Sequence, residues 1–409
     1  MHCRHCHSDH WVDFINLGTS PPSNAYLSSE ELGLPETWFP LNVKACFNCF
    51  LVQTEILEDD LGLFPADYAY FSSFSDTMLA HSKKFVSDIS DDLSLDKSSR
   101  VIEIASNDGY LLQYFQEIDI PCIGIEPTRD TAQVARSKGI EVIEDFFGTS
   151  LAQKMSIRDL TGDLIIANNV LAHVPNINDF LSGVRTLLKE KGVATFEFPY
   201  LINLVKFNQF DTIYHEHFFY FSLHSVVNIF ESNGLFIYDV HEIDIHGGSL
   251  RVFARQVDNN KIFCSKRVSE MLQKEKDLGV TRPSYYEGFT MKADKVKHEI
   301  YDFLIQCKLS ESVIIGYGAA AKGNTLLNYA GITEDLIRFI VDKNPAKQNK
   351  FLPGSNIPIF SEDMIKETKP DYILILPWNL KEEIMKNLNY VKEWGCKFVI
   401  AIPKLEIYD

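Results

Sequence analysis

The segment DTIYHEHFFYFS holds the densest group of reactive side chains in this sequence, because Tyr214, His215, Glu216 and His217 are consecutive and aromatic residues follow. Zinc proteases place two histidines four residues apart, so that both face one side of a helix. The residue four positions after His215 is Phe219, which excludes that site. Two imidazoles, a carboxylate and a phenol among aromatic rings remain a candidate acid–base cluster, and its chemistry depends on the elements that position it.

The cysteines predict a metal site at the other end of the chain. Four of the eight form two CxxC pairs, Cys3 with Cys6 and Cys46 with Cys49. Two such pairs suit one tetrahedral zinc ion, to which each short loop supplies two thiolates. Four thiolates fill every position, so we expect a structural zinc. A redox CxxC and ordinary buried cysteines are the other interpretations of this spacing.

Length and composition limit the class of protein. A chain of 409 residues predicts two or three domains, and 45% apolar with 23% charged residues is typical of globular proteins. No apolar run approaches the ~18 residues that span a membrane, and the first residues carry no apolar signal core, so we expect no membrane association and a cytoplasmic location. A net charge of -17 argues against a nucleic-acid partner, although a local pocket can still bind a small anion.

Alternating strands and helices predict two α/β units in series. From Arg100 the runs VIEIAS, CIGIEP, DLIIANNVL and GVATFEFP are separated by helix-length segments, and two alternating runs around HGGS predict an antiparallel pair that closes the first sheet. A second unit begins at SVIIGYGAAAKGN. We therefore predict a zinc module at 1–72, a first sheet domain at 73–258 and a second Rossmann-like domain at 259–409.

The ends of the first strands predict a cofactor site. In VIEIASNDGYLL a strand leads through Asn107 to a helix start, where backbone N–H groups are free to bind a ligand. The spacing is not GxGxxG, which disfavours a dinucleotide. Glu126 ends the next strand, where a carboxylate can accept both ribose hydroxyls, and the EDFF segment is placed to meet an adenine. This order resembles that of class I S-adenosylmethionine methyltransferases, whereas the other interpretation is a doubly wound fold with coincidental turn residues.

The chain as a whole closely resembles the nucleotide-sugar C-methyltransferases, bacterial enzymes that methylate C-3 of a 4-keto-6-deoxyhexose nucleotide. The resemblance rests on the paired CxxC knuckles, DYAYFSSFSDTM, EIASNDGYLL, NNVLAHVPN, YHEHFFYFS, HGGSLRVF and GYGAAAKGNTLLNY, in that order. Ala105 departs from the usual EIGSNDG run and lies where backbone should approach the cofactor. The resemblance implies a class I methyltransferase Rossmann-like domain, a second Rossmann-like C-terminal domain, a small zinc module, and S-adenosylmethionine with structural Zn²⁺ as cofactors.

The resemblance also implies roles for individual residues. Carbon methylation next to a ketone needs a base and a donor for the enolate oxygen. The family's catalytic Tyr, Glu and second His correspond to Tyr214, Glu216 and His217, with His217 as general base, and His173 matches a residue that faces the sugar. The predicted cofactor contacts are Glu103, Ala105, Asn107, Asp108, Gly109, Glu126, Pro127, Asp145, Phe146, Asn168 and Tyr70, with Tyr68 as the alternative to Tyr70.

The second α/β unit is predicted to hold the nucleotide sugar. In GYGAAAKGN a strand, a glycine turn and a helix start bring Lys322 to a position where it can meet a phosphate. Taken alone, that turn suggests a second dinucleotide site; the resemblance assigns it to the sugar's diphosphate, which in dTDP-sugars is linked to thymidine. Arg251 and Asn169 are further candidate substrate contacts. An O- or N-methyltransferase of a nucleotide sugar, or a non-catalytic nucleotide-sugar binding protein, are the alternatives.

Overall fold

The computed structural model describes residues 2–55, 71–259 and 262–409. Strands form three separate sheets in these residues. In chain order the strands are β1 Trp11–Ser20, β2 Phe39–Cys46, β3 Val52–Thr54, β4 Val101–Ile104, β5 Cys122–Ile125, β6 Glu141–Ile143, β7 Gly162–Asn168, β8 Leu188–Pro199, β9 Phe219–Tyr220, β10 Leu235–Ile243, β11 Ser249–Gln256, β12 Ile314–Tyr317, β13 Ile340–Val341, β14 Ile359–Phe360, β15 Tyr372–Ile375, β16 Lys397–Ile400 and β17 Glu406–Tyr408.

Helices connect most of the strands. They are α1 Asp76–Leu93, α2 Leu112–Glu117, α3 Arg129–Ser137, α4 Thr149–Ile157, α5 Ile177–Leu187, α6 Leu201–Lys206, α7 Leu223–Ser232, α8 Lys266–Leu278, α9 Phe289–Leu309, α10 Ala321–Ala330, α11 Asp363–Thr368 and α12 Lys381–Asn387. The helix predicted in SDTMLAHSKKF is α1, which begins after the cap formed by the Ser75 hydroxyl on the Met78 N–H. Over the described residues, no helix combines the length and the apolar character that crossing a membrane requires.

The central sheet has seven strands in the order β10-β11-β8-β7-β4-β5-β6. Strands β8, β7, β4, β5 and β6 are parallel, and β11 runs antiparallel to both β8 and β10. All four residues of β4 are buried, as expected for a parallel strand covered on both faces. The predicted α/β unit and its closing antiparallel pair are therefore confirmed. Because β4, β5 and β7 are parallel, the turns that follow them meet at one edge.

The third sheet repeats this design on a smaller scale. Its order is β14-β13-β12-β15-β16-β17, and only the last strand is antiparallel to its neighbour. The predicted second Rossmann-like unit is confirmed by this arrangement. The order reverses beside β12, so the glycine turn between β12 and α10 lies at the switch point where such sheets bind ligands.

The N-terminal sheet takes its fourth strand from the reactive segment. Its order is β1-β2-β3-β9, and β9 is Phe219–Tyr220, which directly follows His217. Val52 and Gln53 of β3 pair with those two residues, and the Thr54 N–H donates to the Phe218 carbonyl at 3.0 Å. The zinc module therefore forms one wall of the structure that holds the reactive segment.

Candidate active site

A cleft of about 720 Å³ runs from the carboxyl edge of the central sheet to the β12–α10 turn of the third sheet. Its walls include Ala105, Asn107 and Glu126 at one end and Lys322 at the other. Tyr214, His173 and His217 lie on the wall between them. The structure therefore brings the predicted cofactor turns, the reactive segment and the third sheet to one cavity.

The turn after β4 is held in an unusual backbone conformation. Ala105 and Asn107 both have left-handed φ angles, +57° and +49°. The Asn107 side-chain oxygen accepts the Ser72 N–H at 2.9 Å. A Cβ is strained in this conformation, so alanine carries a cost at this position that glycine would avoid.

Glu126 supports this turn from the end of β5. One carboxylate oxygen accepts the Asn107 N–H and the other accepts the Thr128 N–H, each at 2.9 Å. The side chain is buried yet still lines the cleft. A carboxylate fixed by backbone donors at a strand end is well placed to accept ribose hydroxyls as well.

The remaining predicted cofactor residues divide into a group that lines the cleft and a group that does not. Asp145, Phe146, Pro127 and Asn168 line the cleft. The Phe146 ring is 66% exposed, so it has a free face for an adenine.

Three predicted contacts, Glu103, Asp108 and Gly109, do not lie on the cleft wall. Glu103 and Asp108 are buried, and Gly109 is part of the turn itself. Burial, with the negative charges of Asp108, Glu126 and Glu197, raises the pKa of Glu103 well above its ordinary value. Glu103 lies in β4, which leads into the turn, and Asp108 and Gly109 belong to the turn. Tyr68 and Tyr70 lie outside the described residues.

His217 has a fixed tautomer. Its Nδ1 lies 2.8 Å from the Thr212 carbonyl, which can only accept, so Nδ1 carries the proton. The lone pair is therefore on Nε2, which accepts the Tyr214 hydroxyl at 2.7 Å. Burial, followed by the nearby His173, holds the pKa of His217 well below its usual range. The ring is thus neutral near pH 7, and its Nε2 lone pair is held by the Tyr214 hydroxyl.

His173 packs beside this pair. Its ring centroid is 4.7 Å from that of His217. Its Nδ1–H donates to the Glu216 backbone carbonyl at 2.8 Å, and burial lowers the pKa of His173 to about 4. Two neutral imidazoles therefore stand side by side on the cleft wall.

The Glu216 carboxylate contacts Asn24 of the zinc module. One oxygen accepts the Asn24 side-chain N–H at 3.0 Å and its backbone N–H at 3.3 Å, and the residue is 1% exposed. Burial raises the pKa of Glu216 to about 7. Its side chain thus ties the reactive segment to the zinc module, while its backbone carbonyl orients His173.

Lys322 enters the cleft from the start of α10. Its Nζ donates to the Asn379 side-chain oxygen at 2.7 Å and lies 4.9 Å from the centre of the Trp378 ring. The Trp378 N–H donates to Asp211 at 2.7 Å, and burial raises the pKa of Asp211 to about 6. Burial also lowers the pKa of Lys322. This network fixes a cation near His217.

The structure does not bring Arg251 to the cleft wall. Its guanidinium pairs with Glu197 through Nε at 2.6 Å, and it lies 4.3 Å from the centre of the Phe85 ring. Burial alone would raise the pKa of Glu197, but His81 and Arg251 lower it overall. The predicted substrate contact is therefore an internal ion pair behind the cleft. Asn169, the other candidate, does line the cleft.

The four predicted zinc ligands converge. Their sulfur atoms all lie within 4.8 Å of one another, with Cys3 and Cys49 3.6 Å apart and Cys6 and Cys46 3.5 Å apart. A tetrahedral zinc with bonds of about 2.3 Å separates its sulfurs by about 3.8 Å, so the cluster fits the ion. Between the first two cysteines, the Arg4 guanidinium lies 5.0 Å from the centre of the Phe218 ring. The knuckle thus packs against the reactive segment.

Sequence reasoning missed several side chains of the cleft wall, among them Asn24, His246 and Lys347. Asn24 and Lys347 carry no sequence signal, because their place depends on contacts between distant segments. His246 precedes two glycines, which predicted the turn without indicating that its imidazole faces the cleft.

Comparisons with known proteins agree with this geometry. Residues 3–64 match a family model described as “Putative zinc binding domain”, residues 78–240 match “Methyltransferase domain”, and residues 244–403 match “C-methyltransferase C-terminal domain”. C-methyltransferase NovU of Streptomyces niveus is 36% identical over 403 residues, which cover 98% of this chain and 95% of NovU.

Solved structures match less than half of the chain. A methyltransferase of Clostridium acetobutylicum is 11% identical, covering 42% of this chain and 90% of its own, with a TM-score of 0.34. Magnesium protoporphyrin IX methyltransferase of Synechocystis, solved with its methyl donor, is 15% identical, covering 44% and 82%, with a TM-score of 0.33.

Proposed function

This chain belongs to the C-methyltransferase family and is an S-adenosylmethionine-dependent methyltransferase with a zinc-binding module, and from that premise we propose that it methylates C-3 of a nucleotide-linked 4-keto-6-deoxyhexose in deoxysugar biosynthesis, with dTDP as the nucleotide. The observation that carries the proposal is the His217–Tyr214 pair, a base of fixed tautomer beside a phenol, on the wall of the cleft.

A carbon acceptor requires more of the protein than an oxygen or nitrogen acceptor does. The carbon next to a ketone becomes a nucleophile only after its proton is removed and the enolate charge is stabilised. A neutral imidazole flanked by a phenol and a second imidazole supplies these groups. An O- or N-methyltransferase needs no such arrangement.

His217 performs the proton transfer in this proposal. Its Nε2 lone pair takes the C-3 proton, and the electrons of the broken C–H bond form the enolate, whose negative charge lies on the C-4 oxygen. The Thr212 carbonyl stabilises the resulting imidazolium by accepting its Nδ1–H. When the sugar binds, the Tyr214 hydroxyl turns from His217 Nε2 to an oxygen of the sugar, which frees the lone pair of His217. The Nδ1–H of His173 stays on the Glu216 carbonyl, so its Nε2 accepts from a sugar hydroxyl. Glu216 keeps its place as a positioning residue through Asn24.

Residues at the edge of the central sheet hold the cofactor. Glu126 binds the ribose hydroxyls, Asn107 and Asn168 line the binding site, and Asp145 and Phe146 meet the adenine. S-adenosylmethionine, when bound there, supplies an electrophilic methyl group. The aromatic wall around Phe218 excludes water, which strengthens each polar contact in the cleft.

The third sheet holds the nucleotide diphosphate. Lys322 and Lys347 are the lysines on the cleft wall within the described residues, and both lie close to the β12–α10 turn. The Lys347 Nζ donates to the Ala319 carbonyl of that turn at 2.8 Å. Two cations at a helix start suit a diphosphate, even though the net charge of the chain is -17.

A substrate labelled with deuterium at C-3 tests the proposal. Methylation at C-3 must release the label to solvent, whereas methylation of an oxygen or nitrogen retains it. His217→Ala should lose label release and methylation together while still binding both ligands, because the residue acts on the transition state. Tyr214→Phe keeps the ring and should lower the rate by about 10² to 10³. Retained label in the methylated product would refute the proposal.

A further inference from the structure

His246 is a cleft-lining imidazole without a role in the proposed chemistry. It lies at the tip of the hairpin between β10 and β11. In the portion of the chain described by the structure, its ring makes no hydrogen bond. It lines the same cleft as His217 and Lys322. An imidazole that lines a cleft and has no protein partner is available to a ligand.

The hairpin holds His246 in one place. Gly247 and Gly248 have left-handed φ angles of +89° and +99°. A Cβ on Gly247 would come within 2.5 Å of the Trp378 ring, and one on Gly248 within 2.2 Å of the Asn203 side chain. The tip therefore packs too closely for any side chain at these two positions, and His246 is the residue that this packing presents to the cleft.

Hydrogen bonds fix the same tip. The Gln209 side chain donates to the Gly247 carbonyl at 2.8 Å, and the Tyr200 N–H donates to the Gly248 carbonyl at 3.1 Å. Trp378 itself is held by Asp211 and covers Lys322. A group fixed in this way loses little entropy when it contacts a substrate, which is the property expected of a preorganised catalytic donor.

The charge state of His246 suits a donor to an enolate. Burial, followed by the charge of Lys322, lowers the pKa of His246 to about 4. The charge of Glu197 raises this pKa, and that of His81 lowers it, but both effects are smaller. The ring is therefore neutral near pH 7. A neutral imidazole donates an N–H bond to a developing enolate without transferring its proton.

We propose that His246 is a catalytic residue that donates an N–H hydrogen bond to the ketone oxygen of the substrate while the enolate charge develops there. This inference rests on the proposed function. His217 removes the C-3 proton, and the adjacent C-4 oxygen meets His246, whose hairpin approaches the cleft beside Lys322. No proton moves to or from His246 in this step, so the ring is neutral before and after enolisation.

Two substitutions test this role. His246 has a left-handed φ of +54°, which asparagine tolerates, so His246→Asn keeps the backbone but shortens the side chain. His246→Gln returns an amide N–H near the reach of the imidazole Nε2. We expect His246→Asn to lower kcat for methylation by about 10² to 10³, as loss of one oxyanion donor does. His246→Gln should recover at least part of that loss, and the affinity for S-adenosylmethionine should be unchanged in both variants.

His241 provides a matched control on the same hairpin. Its Nε2 lies 3.4 Å from Asp239, and it does not line the cleft. His241→Asn should therefore keep the wild-type kcat. If His246→Asn also keeps the wild-type kcat, or raises only KM, the catalytic role is refuted, the latter result indicating ground-state binding. If His246→Asn fails to fold, His246→Gly takes its place, because glycine adopts the left-handed backbone conformation and carries no side-chain donor. A wild-type kcat in His246→Gly would refute the role of the imidazole.

The wild-type reaction separates this inference from the proposed function. Retention of the C-3 deuterium label by the wild-type product would overturn the proposed function itself. Release of the label by wild type, together with an unchanged kcat in His246→Asn, would overturn only the role of His246. Release by wild type and loss of kcat in His246→Asn, with partial recovery in His246→Gln, is the result that we expect.

Discussion

Ala105→Gly tests whether the cofactor turn carries backbone strain. Ala105 has a φ of +57°, where a Cβ costs roughly 1–2 kcal/mol. Glycine removes that strain, but it also gives the unfolded chain more conformational freedom, which lowers the free energy of unfolding by about 0.4–1 kcal/mol. The net increase in the free energy of unfolding is therefore about 0.5–1 kcal/mol. For a domain of this size such a gain raises the thermal midpoint by about 1 to 4 °C.

The assay compares thermal unfolding and cofactor binding in the same samples. Ala105 lines the cleft, so removing its methyl group should also tighten S-adenosylmethionine binding, by up to about tenfold, or about 1.4 kcal/mol. Lys369→Gly is the control, since Lys369 has a φ of +47° at the end of α11 and does not line the cleft. It should leave cofactor affinity unchanged. A lower thermal midpoint for Ala105→Gly would refute the assignment of strain to this turn.

Three further predictions follow from the site. Freshly purified protein should contain about one zinc ion per chain, and Cys46→Ser should lower both zinc content and thermal midpoint; metal analysis without zinc would contradict this. Glu126→Gln should weaken S-adenosylmethionine binding by about 1.5–3 kcal/mol in calorimetry and leave nucleotide-sugar binding unchanged; equal losses would indicate misfolding. Burial lowers the pKa of His217, so its neutral, basic form persists to lower pH. The apparent pKa at which kcat falls on the acid side, through protonation of His217, should therefore lie below the ordinary histidine value of 6.5, and an apparent pKa above 6.5 would contradict this.

The sheets were predictable because their signals are local. Buried strands such as β4 are short apolar runs, and the residues that end β4, β5 and β7 must share an edge once the strands are parallel. The CxxC spacing likewise predicts four converging thiolates, since each loop fixes two of them. These features depend on a few neighbouring residues, and the structure confirms them.

The partners of individual polar side chains were not predictable. Glu216 binds Asn24, which is 192 residues away in the sequence, and Arg251 pairs with Glu197 on an adjacent strand. Such contacts depend on how three sheets pack, which no local pattern specifies. The same reason explains His246, because the packing of the hairpin against Trp378 directs its imidazole into the cleft.

The position of the transferred methyl group tests the central claim most directly. The enzyme is incubated with a dTDP-linked 4-keto-6-deoxyhexose and S-adenosylmethionine carrying carbon-13 in its methyl group, and the product is examined by NMR. We predict a labelled methyl carbon bonded directly to C-3 of the sugar. A labelled methyl group on an oxygen or nitrogen, or no methylated sugar from an enzyme that binds both ligands, would contradict the account.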